Sequence, residues 1–391
     1  MSARADREAG TPAEPLVASA DDELEVQRAS ADDEVEVSRA LADGASGPEE
    51  MPRVHLTRRR ILISLLFVVS TVAFLYFVLP KLLGLRDTWN RIQHGDPAWL
   101  VLAAVLEIAS FGGYVLLFRA VFVRGRTRIG WRASYEITMA GLAATRLFAS
   151  AGAGGVALTA WALRRSGMAP RTVASRMVGF MALLYAVFMG TLVVVGLGLA
   201  VGLFPGPAPF AITVVPAIFG GSVIAVFLAA SLLPGDVDRL VGRWTNGGRL
   251  GRVAEHAATA PAAAASGIRT AISLVGSRDP ALLGAPAWWG FDIAVLWASF
   301  HAFGGSPDIP IVIMAYFVGM LGNVLPLPGG IGGVDGAMIG AFSAFGVSSS
   351  LAVVAVLTYR AFAFWLPTLP GAIAYLQLRR TVHRWQDRDY T

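Results

Sequence analysis

The chain has 391 residues, 55% of them hydrophobic and 15% charged, with a mean hydropathy of +0.59 and a formal charge of +5. Soluble proteins carry about 25% charged residues, so this composition excludes an ordinary soluble enzyme and points to a resident of the bilayer. Cysteine is absent, and His55, His94, His256, His301 and His383 form no i, i+3 or i, i+4 pair, which excludes disulfides, thiol catalysis and a histidine metal site; no cofactor is expected.

Charge divides the chain in two. Residues 1–52 hold 14 of the 27 acids and 4 of the 32 bases. Residues 1–56 are rich in Ala, Asp, Glu, Ser and Pro and have no aromatic residue, so they bury too little apolar surface to offset ordering entropy and read as a disordered acidic tail. Within it, Ser19–Arg28 (SADDELEVQR) recurs as Ser30–Arg39 (SADDEVEVSR). This 11-residue repeat reads either as a docking motif for a protein partner or as a slipped duplication in a solvated spacer. It is not a signal peptide, which starts basic and then turns apolar.

The membrane body, residues 57–380, begins with the apolar run Ile61–Leu83 behind Arg58-Arg59-Arg60. About 20 apolar residues cross the hydrocarbon core, and the arginines place the N-terminus in the cytoplasm. Trp99–Phe122 returns to Arg124, Arg126, Arg128 and Arg132, again a cytoplasmic cluster. Ser134–Leu163 is broken by Ala151-Gly152-Ala153-Gly154-Gly155 and is followed by Arg164, Arg165, Arg171 and Arg176. It starts and finishes on the cytoplasmic side, so it reads as a re-entrant hairpin.

Val178–Leu203 then spans outward, Phe210–Leu233 returns, and the arginine-containing segment 234–279 reads as a cytoplasmic loop with an Ala-rich amphipathic stretch at Arg249–Leu274. Leu282–Phe303 spans outward. Ile309–Phe345 is broken at Pro326–Gly333, and Leu351–Tyr375 exits to Arg379-Arg380 and Arg384, leaving a short tail at 381–391. The second broken segment therefore starts and ends outside. The expected fold is all-α and polytopic, with six full spans and two re-entrant helical hairpins entering from opposite faces as an inverted repeat. Alignment of the halves sets Gly141 on Gly319 and Gly154-Gly155-Val156 on Gly332-Gly333-Val334.

Leu325–Gly336 (LPLPGGIGGVDG) resembles the P-G-G-I-G-x-x-E/D signature of the lysylphosphatidylglycerol synthase transmembrane region, also called the flippase-like membrane protein family. Gly152–Gly167 (GAGGVALTAWALRRSG) resembles the family's Gly-rich break with its basic turn, and Thr358–Gly371 (TYRAFAFWLPTLPG) resembles its last helix. The resemblance covers about residues 60–380 and implies a helical membrane body that moves lipids between leaflets. Two features depart from it. Family members often carry P-R-x-G-E at the first break, whereas Ser150–Val156 holds neither the Arg nor the Glu. Full-length synthases also add a soluble aminoacyl-transfer domain, so aminoacyl-lipid synthesis is not implied.

An ionisable residue inside a membrane costs at least ~2.5–3.5 kcal/mol on insertion scales and is a functional candidate by default. Here these are Glu107, Glu136, Arg146, Asp292, Asp335 and Arg360. Half-helices beginning near Gly155 and Gly333 present unpaired N–H groups to a lipid phosphate, with Gly152, Gly154, Gly155, Gly329, Gly330, Gly332 and Gly333 allowing close approach. Arg360 adds a planar fork for phosphate, and Asp335 holds Arg360 or titrates. The plainer readings are a helix cap for Asp335 and a structural ion pair for Arg360. Glu107, Arg146 and Asp292 form a charge relay or interhelical pairs, while Glu136, near the cytoplasmic end, is expected in water. Gly112-Gly113 and Gly220-Gly221 read as close-packing glycines.

The leading functional reading is a translocator of an anionic-headgroup lipid, phospholipid or polyprenyl phosphate, in a bacterial cytoplasmic membrane with both termini inside. It is not expected to be an enzyme or to bind nucleic acid. Two other readings stay open: a membrane-embedded lipid or glycolipid transferase, and a non-catalytic assembly partner that docks through its acidic tail.

Overall fold

A computed structural model describes residues 95–125, 127–147, 153–231, 267–324, 330 and 332–387. The acidic tail, the run Ile61–Leu83 and most of segment 234–279 lie outside them. Every regular element among the described residues is a helix. In chain order these are α1 (Pro97–Phe122), α2 (Trp131–Leu147), α3 (Ala153–Arg165), α4 (Pro170–Ala200), α5 (Phe210–Ser231), α6 (Gly267–Gly276), α7 (Gly284–Ala302), α8 (Ile309–Met320), α9 (Gly333–Ala344), α10 (Ser349–Arg360) and α11 (Thr368–Asp387).

Among the described residues, five helical stretches are long and apolar enough to cross a membrane: Pro97–Phe122, Pro170–Ala200, Phe210–Ala229, Pro280–Ala302 and the composite Ser349–Trp385. They coincide with five of the six full spans expected from the sequence. Their outward faces are apolar. Val101, Val105 and Ile108 on α1, Val194 and Leu197 on α4, Ile218 and Val226 on α5, and Ile373 and Leu376 on α11 are exposed. A contiguous apolar surface of this kind suits lipid rather than water.

Local signals set the helix ends. Asp96 caps α1, its Oδ1 accepting the Ala98 N–H at 2.9 Å, with Pro97 in the first turn. Asp279 caps the 3₁₀ turn Pro280–Leu283 in the same way, through Ala281 N–H at 3.0 Å. α3 and α9 share a terminator. Past α3, Gly167 (φ +93°) lets the Met168 N–H reach the Leu163 carbonyl. Past α9, Gly346 (φ +85°) lets the Val347 N–H reach the Phe342 carbonyl. Both are left-handed glycine stops of the Schellman type.

The packing forms two cores along the long helices. One gathers Leu117–Phe122 of α1, Val173–Leu184 of α4, Ala285, Ala374–Trp385 of α11, and the buried faces of α2 and α3. The other gathers Ala103 of α1, Phe188–Leu199 of α4, Trp289–Phe300 of α7, and the buried faces of α8, α9 and α10. So α1, α4 and α7 run through both cores, while each short helix pair sits in one. At the first end, Arg124 reaches Ser277 and Asp279, Arg176 donates to the Phe122 carbonyl, and Arg128 donates to the Trp385 carbonyl. At the other, the Asp96 N–H bonds the Ala302 carbonyl, and Gly305 packs on Leu351. α2 follows α1 in the chain and α3 leads by Gly167 into α4, while α8 follows α7 and α9 leads by Gly346 into α10.

One part of the sequence reading meets a different outcome. Glu136, expected in water, is fully buried. Its Oε1 pairs with Arg132 Nε at 2.8 Å, its Oε2 accepts the Thr381 hydroxyl at 2.6 Å, and Arg384 Nη2 donates to Thr381 Oγ1. Its depth along the membrane follows from the sequence; the face it turns to α11 does not. Towards the end of segment 234–279, overlapping the stretch read as amphipathic at Arg249–Leu274, the short helix α6 buries Ile268, Ala271 and Leu274 and packs Gly267 on Val178 of α4.

Candidate functional site

The second break ends where α9 begins. Leu325–Gly329 and Ile331 lie outside the described residues. Gly332 has φ +86°, a conformation side chains resist, and it starts the helix. Asp335, in the first turn and 1% exposed, folds back so that its Oδ2 accepts the Gly332 N–H at 2.8 Å. Its other oxygen, Oδ1, lies 2.8 Å from Arg360 Nε. That approach is a charge contact rather than an aligned hydrogen bond. Asp335 therefore does both things the sequence suggested: it caps its own helix and holds Arg360.

Arg360 is the last residue of α10, where the helix passes into a π-helical turn, Ala361–Trp365. Such turns frequently occur at functional sites. The guanidinium carbon lies 5.0 Å from the Phe364 ring centroid, within cation–π reach. Only 12% of the Arg360 side chain is exposed. The positive end of α9 thus already holds a carboxylate, and that carboxylate is shared with the arginine. An anion arriving at Arg360 must compete with Asp335.

A second polar centre lies in the same core. Asp292 on α7 is 8% exposed. Its Oδ2 accepts hydrogen bonds from the Tyr316 hydroxyl on α8 and from the Tyr359 hydroxyl on α10, the latter at 2.8 Å. Asp292, Arg360 and Glu107 all act electrostatically on Tyr359. The buried Glu107 of α1 thus belongs to this neighbourhood. Tyr359 is the covalent neighbour of Arg360, so four helices, α1, α7, α8 and α10, converge on one polar interior, with α9 joined to it through Asp335.

The remaining candidates divide. Gly332 and Gly333 open the α9 N-terminus, and Gly330 lies beside Asn323, whose Oδ1 a Cβ at position 330 would strike. Gly155 serves packing: a Cβ there would collide with Thr145 Oγ1 and the Gly141 carbonyl, so α2 and α3 touch backbone to backbone. Gly322 meets the Gly333 carbonyl in the same manner between the arms of the second pair. Gly154 is half-buried at the start of α3. Gly152, Gly329 and the side chain of Arg146 lie outside the described residues. Among the close-packing glycines, Gly113 meets Trp288 N and the Gly284 carbonyl, and Gly220 meets the Met189 carbonyl, whereas Gly112 faces open space.

Sequence reasoning missed Tyr316 and Tyr359. Each is fully buried in an apolar run. A buried tyrosine hydroxyl usually finds a partner, and that expectation is the signal that marks them.

Comparison with known families agrees with this architecture. The family model for the lysylphosphatidylglycerol synthase TM region matches residues 61–371. The chain belongs to that family. It is also 25% identical over 327 residues to a UPF0104 membrane protein of Methanothermobacter thermautotrophicus, covering 80% of this chain and 94% of that protein. Shorter stretches match UPF0104 membrane proteins of Methanocaldococcus jannaschii (35% identical over 95 residues, 24% of this chain and 28% of that protein) and Pyrococcus horikoshii (32% over 93 residues, 24% and 28%). These relatives are archaeal. The protein is a multi-pass, all-helical membrane protein of this family.

Proposed function

We propose that the protein moves an anionic-headgroup lipid between the leaflets of a membrane and leaves the lipid chemically unaltered. The observation that carries the reading is the Asp335–Arg360 pair, buried at a helix break within an apolar body. A structural pair alone does not need a glycine-opened helix start beside it. A headgroup phosphate that displaces Asp335 gains a planar fork of donors in Arg360 and the first-turn N–H groups of α9. The family description, a membrane region of a phospholipid-modifying synthase, supports a lipid as the cargo.

The two short helix pairs are read as re-entrant hairpins in an inverted repeat, α2–α3 entering from the cytoplasm and α8–α9 from outside, in a cytoplasmic membrane with both chain termini inside. Their separate cores and their matching glycine stops support this reading. Cysteines are absent, so single ones report cleanly. Ala169 and Ser348 are exposed and precede α4 and α10, with no side-chain cap to lose. Ala169→Cys is expected to label from the cytoplasm and Ser348→Cys from the exterior; labelling from one side only would overturn the opposed arrangement.

Function is tested by reconstitution with leaflet-labelled phospholipids and polyprenyl phosphates. The expected result is faster loss of label from one leaflet, with the recovered lipid unchanged in mass. A lipid of altered mass would instead establish a membrane-embedded transferase. Absence of movement together with a stably copurifying protein would establish an assembly role.

A further inference from the structure

Resting on the translocator reading, the last span supplies a moving part for it. The alignment that sets Gly154 on Gly332 also sets α4, Pro170–Ala200, on residues 348–378. Both stretches run through both cores. α4 does so as one continuous helix. Its counterpart is interrupted: α10 ends at Arg360, the π-helical turn Ala361–Trp365 follows, and α11 begins at Thr368. Pro367 and Pro370 have no N–H, so the Ala363 and Leu366 carbonyls lose their helical donors. The Leu366 N–H reaches back to the Ala361 carbonyl, and the Thr368 hydroxyl takes the Phe364 carbonyl at 2.7 Å. Substitute bonds of this kind let a membrane helix carry a break, and prolines and π-turns are where helices kink.

The two halves of this span are anchored to different partners. α10 packs on α7 and α9. Its Ala352, Ala355, Val356 and Tyr359 lie in the core that holds the second helix pair, and the hydroxyls of Ser349 on α10 and Ser343 on α9 are 3.1 Å apart, within hydrogen-bond distance. α11 packs along α2. Its Ala374, Leu378 and Val382 lie in the core that holds the first pair. The Thr381 hydroxyl bonds Glu136 of α2, and a Cβ on Gly371 would lie 2.9 Å from the Met139 carbonyl oxygen, so α11 meets the main chain of α2. One end of the span therefore belongs to each helix pair, and the break falls between them.

We propose that the stretch from Ala361 to Pro370 is a joint about which α10 and α11 change their angle, so that α10 moves with the second helix pair and α11 with the first. A hinge needs only a few residues at the ends of elements to absorb such a change, and the missing main-chain bonds place those residues here. Arg360 is the last residue before the joint. Bending carries it relative to the first pair while α10 keeps its packing on α9. Each pair then shifts without leaving its own core, and the place of the headgroup arginine depends on both. The continuous α4 has no such freedom and serves as the fixed counterpart.

Two independent readouts test this on the full chain in lipid vesicles. Spin labels on Ser348→Cys with His383→Cys, both exposed positions, measure the distance across the joint, and labels on Ala169→Cys with Val201→Cys measure it along α4. The distribution of distances across the joint is expected to be clearly broader than that along α4. Pro367→Ala with Pro370→Ala, which returns N–H donors to the break, is expected to narrow the distribution, to melt at or above wild type in detergent and to slow the movement of labelled phospholipids and polyprenyl phosphates several-fold. A wild-type distribution as narrow as that of α4 overturns the joint, as does one that the proline changes leave broad. Undiminished lipid movement in a narrowed variant overturns the joint's part in transport. If the proline variant fails to fold, the wild-type comparison with α4 still decides whether the joint bends. If wild type moves no lipid, the translocator reading fails and the distances alone decide the joint.

Discussion

Arg360→Leu and Asp335→Leu are each expected to lower stability by about 3–5 kcal/mol, the cost of leaving one member of a buried pair uncompensated, read as a fall in the detergent melting temperature. The two substitutions differ in a second term. Asp335→Leu also removes the acceptor of the Gly332 N–H, and loss of such a helix-start bond costs about 0.5–2 kcal/mol. Asp335→Asn separates these effects, because its amide oxygen can still accept the Gly332 N–H while the charge is gone. The double variant Arg360→Leu with Asp335→Leu should recover most of the stability and keep only the cap deficit. Transport is where the readings part. If Arg360 receives the headgroup phosphate, the folded double variant stays inactive, and Arg360→Lys, which keeps charge but not the planar fork, is impaired while melting near wild type. Full transport by the double variant would overturn the headgroup assignment, because the pair would then be structural only.

The same residues show how far sequence reasoning reaches. The five described spans are legible because each is a long, predominantly apolar run, and hydrocarbon demands little beyond length and composition. The Asp335–Arg360 pair is also legible, since two opposite charges in one apolar half have few other partners. The Asp292 cluster is less so. Its tyrosines lie 24 and 67 positions away in the chain, and their meeting depends on how α8 and α10 rotate against α7. That rotation is set by side-chain packing, such as Trp289 donating to the Leu184 carbonyl and lying tilted against Phe188 and Phe317. Glu136 is misjudged for a related reason. Its position along α2 is legible in the sequence, whereas its contact with Thr381 of α11 is made across 245 positions and depends on how the two helices pack. At the breaks, glycine carries two meanings that composition does not separate. Gly332 is needed for its backbone conformation, whereas Gly155 is needed because the Gly141 carbonyl occupies the space of a Cβ.

Gly284→Ala is expected to be severely destabilising although it adds one methyl group. Gly284 sits where α7 crosses α1, and its missing Cβ leaves room for the Gly113 carbonyl and the backbone of Leu117. From the other side, a Cβ on Gly113 would lie 2.8 Å from the Trp288 nitrogen and 3.0 Å from the Gly284 carbonyl. The obstruction is main chain in both directions, so no rotamer change relieves it and the helices must separate. Separation would break the Ser110 hydroxyl bond to the Trp288 carbonyl, 2.9 Å long, and loosen the Trp288–Trp289 layer beneath it. Overpacking of a well-packed interior costs about 1–3 kcal/mol and occasionally more, and a backbone collision between two through-running helices belongs at or above the upper end. Gly290 provides the control on the same helix. It is exposed, and a Cβ there meets nothing within 4 Å. Alanine at 290 should be neutral or stabilising by about 0.5–1 kcal/mol, since glycine inside a helix is the poorer choice on entropy alone. Detergent melting should therefore fall clearly for Gly284→Ala and stay level or rise for Gly290→Ala. Equal and small changes would mean that α1 and α7 do not cross at Gly113 and Gly284, and the packing that brings Glu107 towards Tyr359 would have to be redrawn.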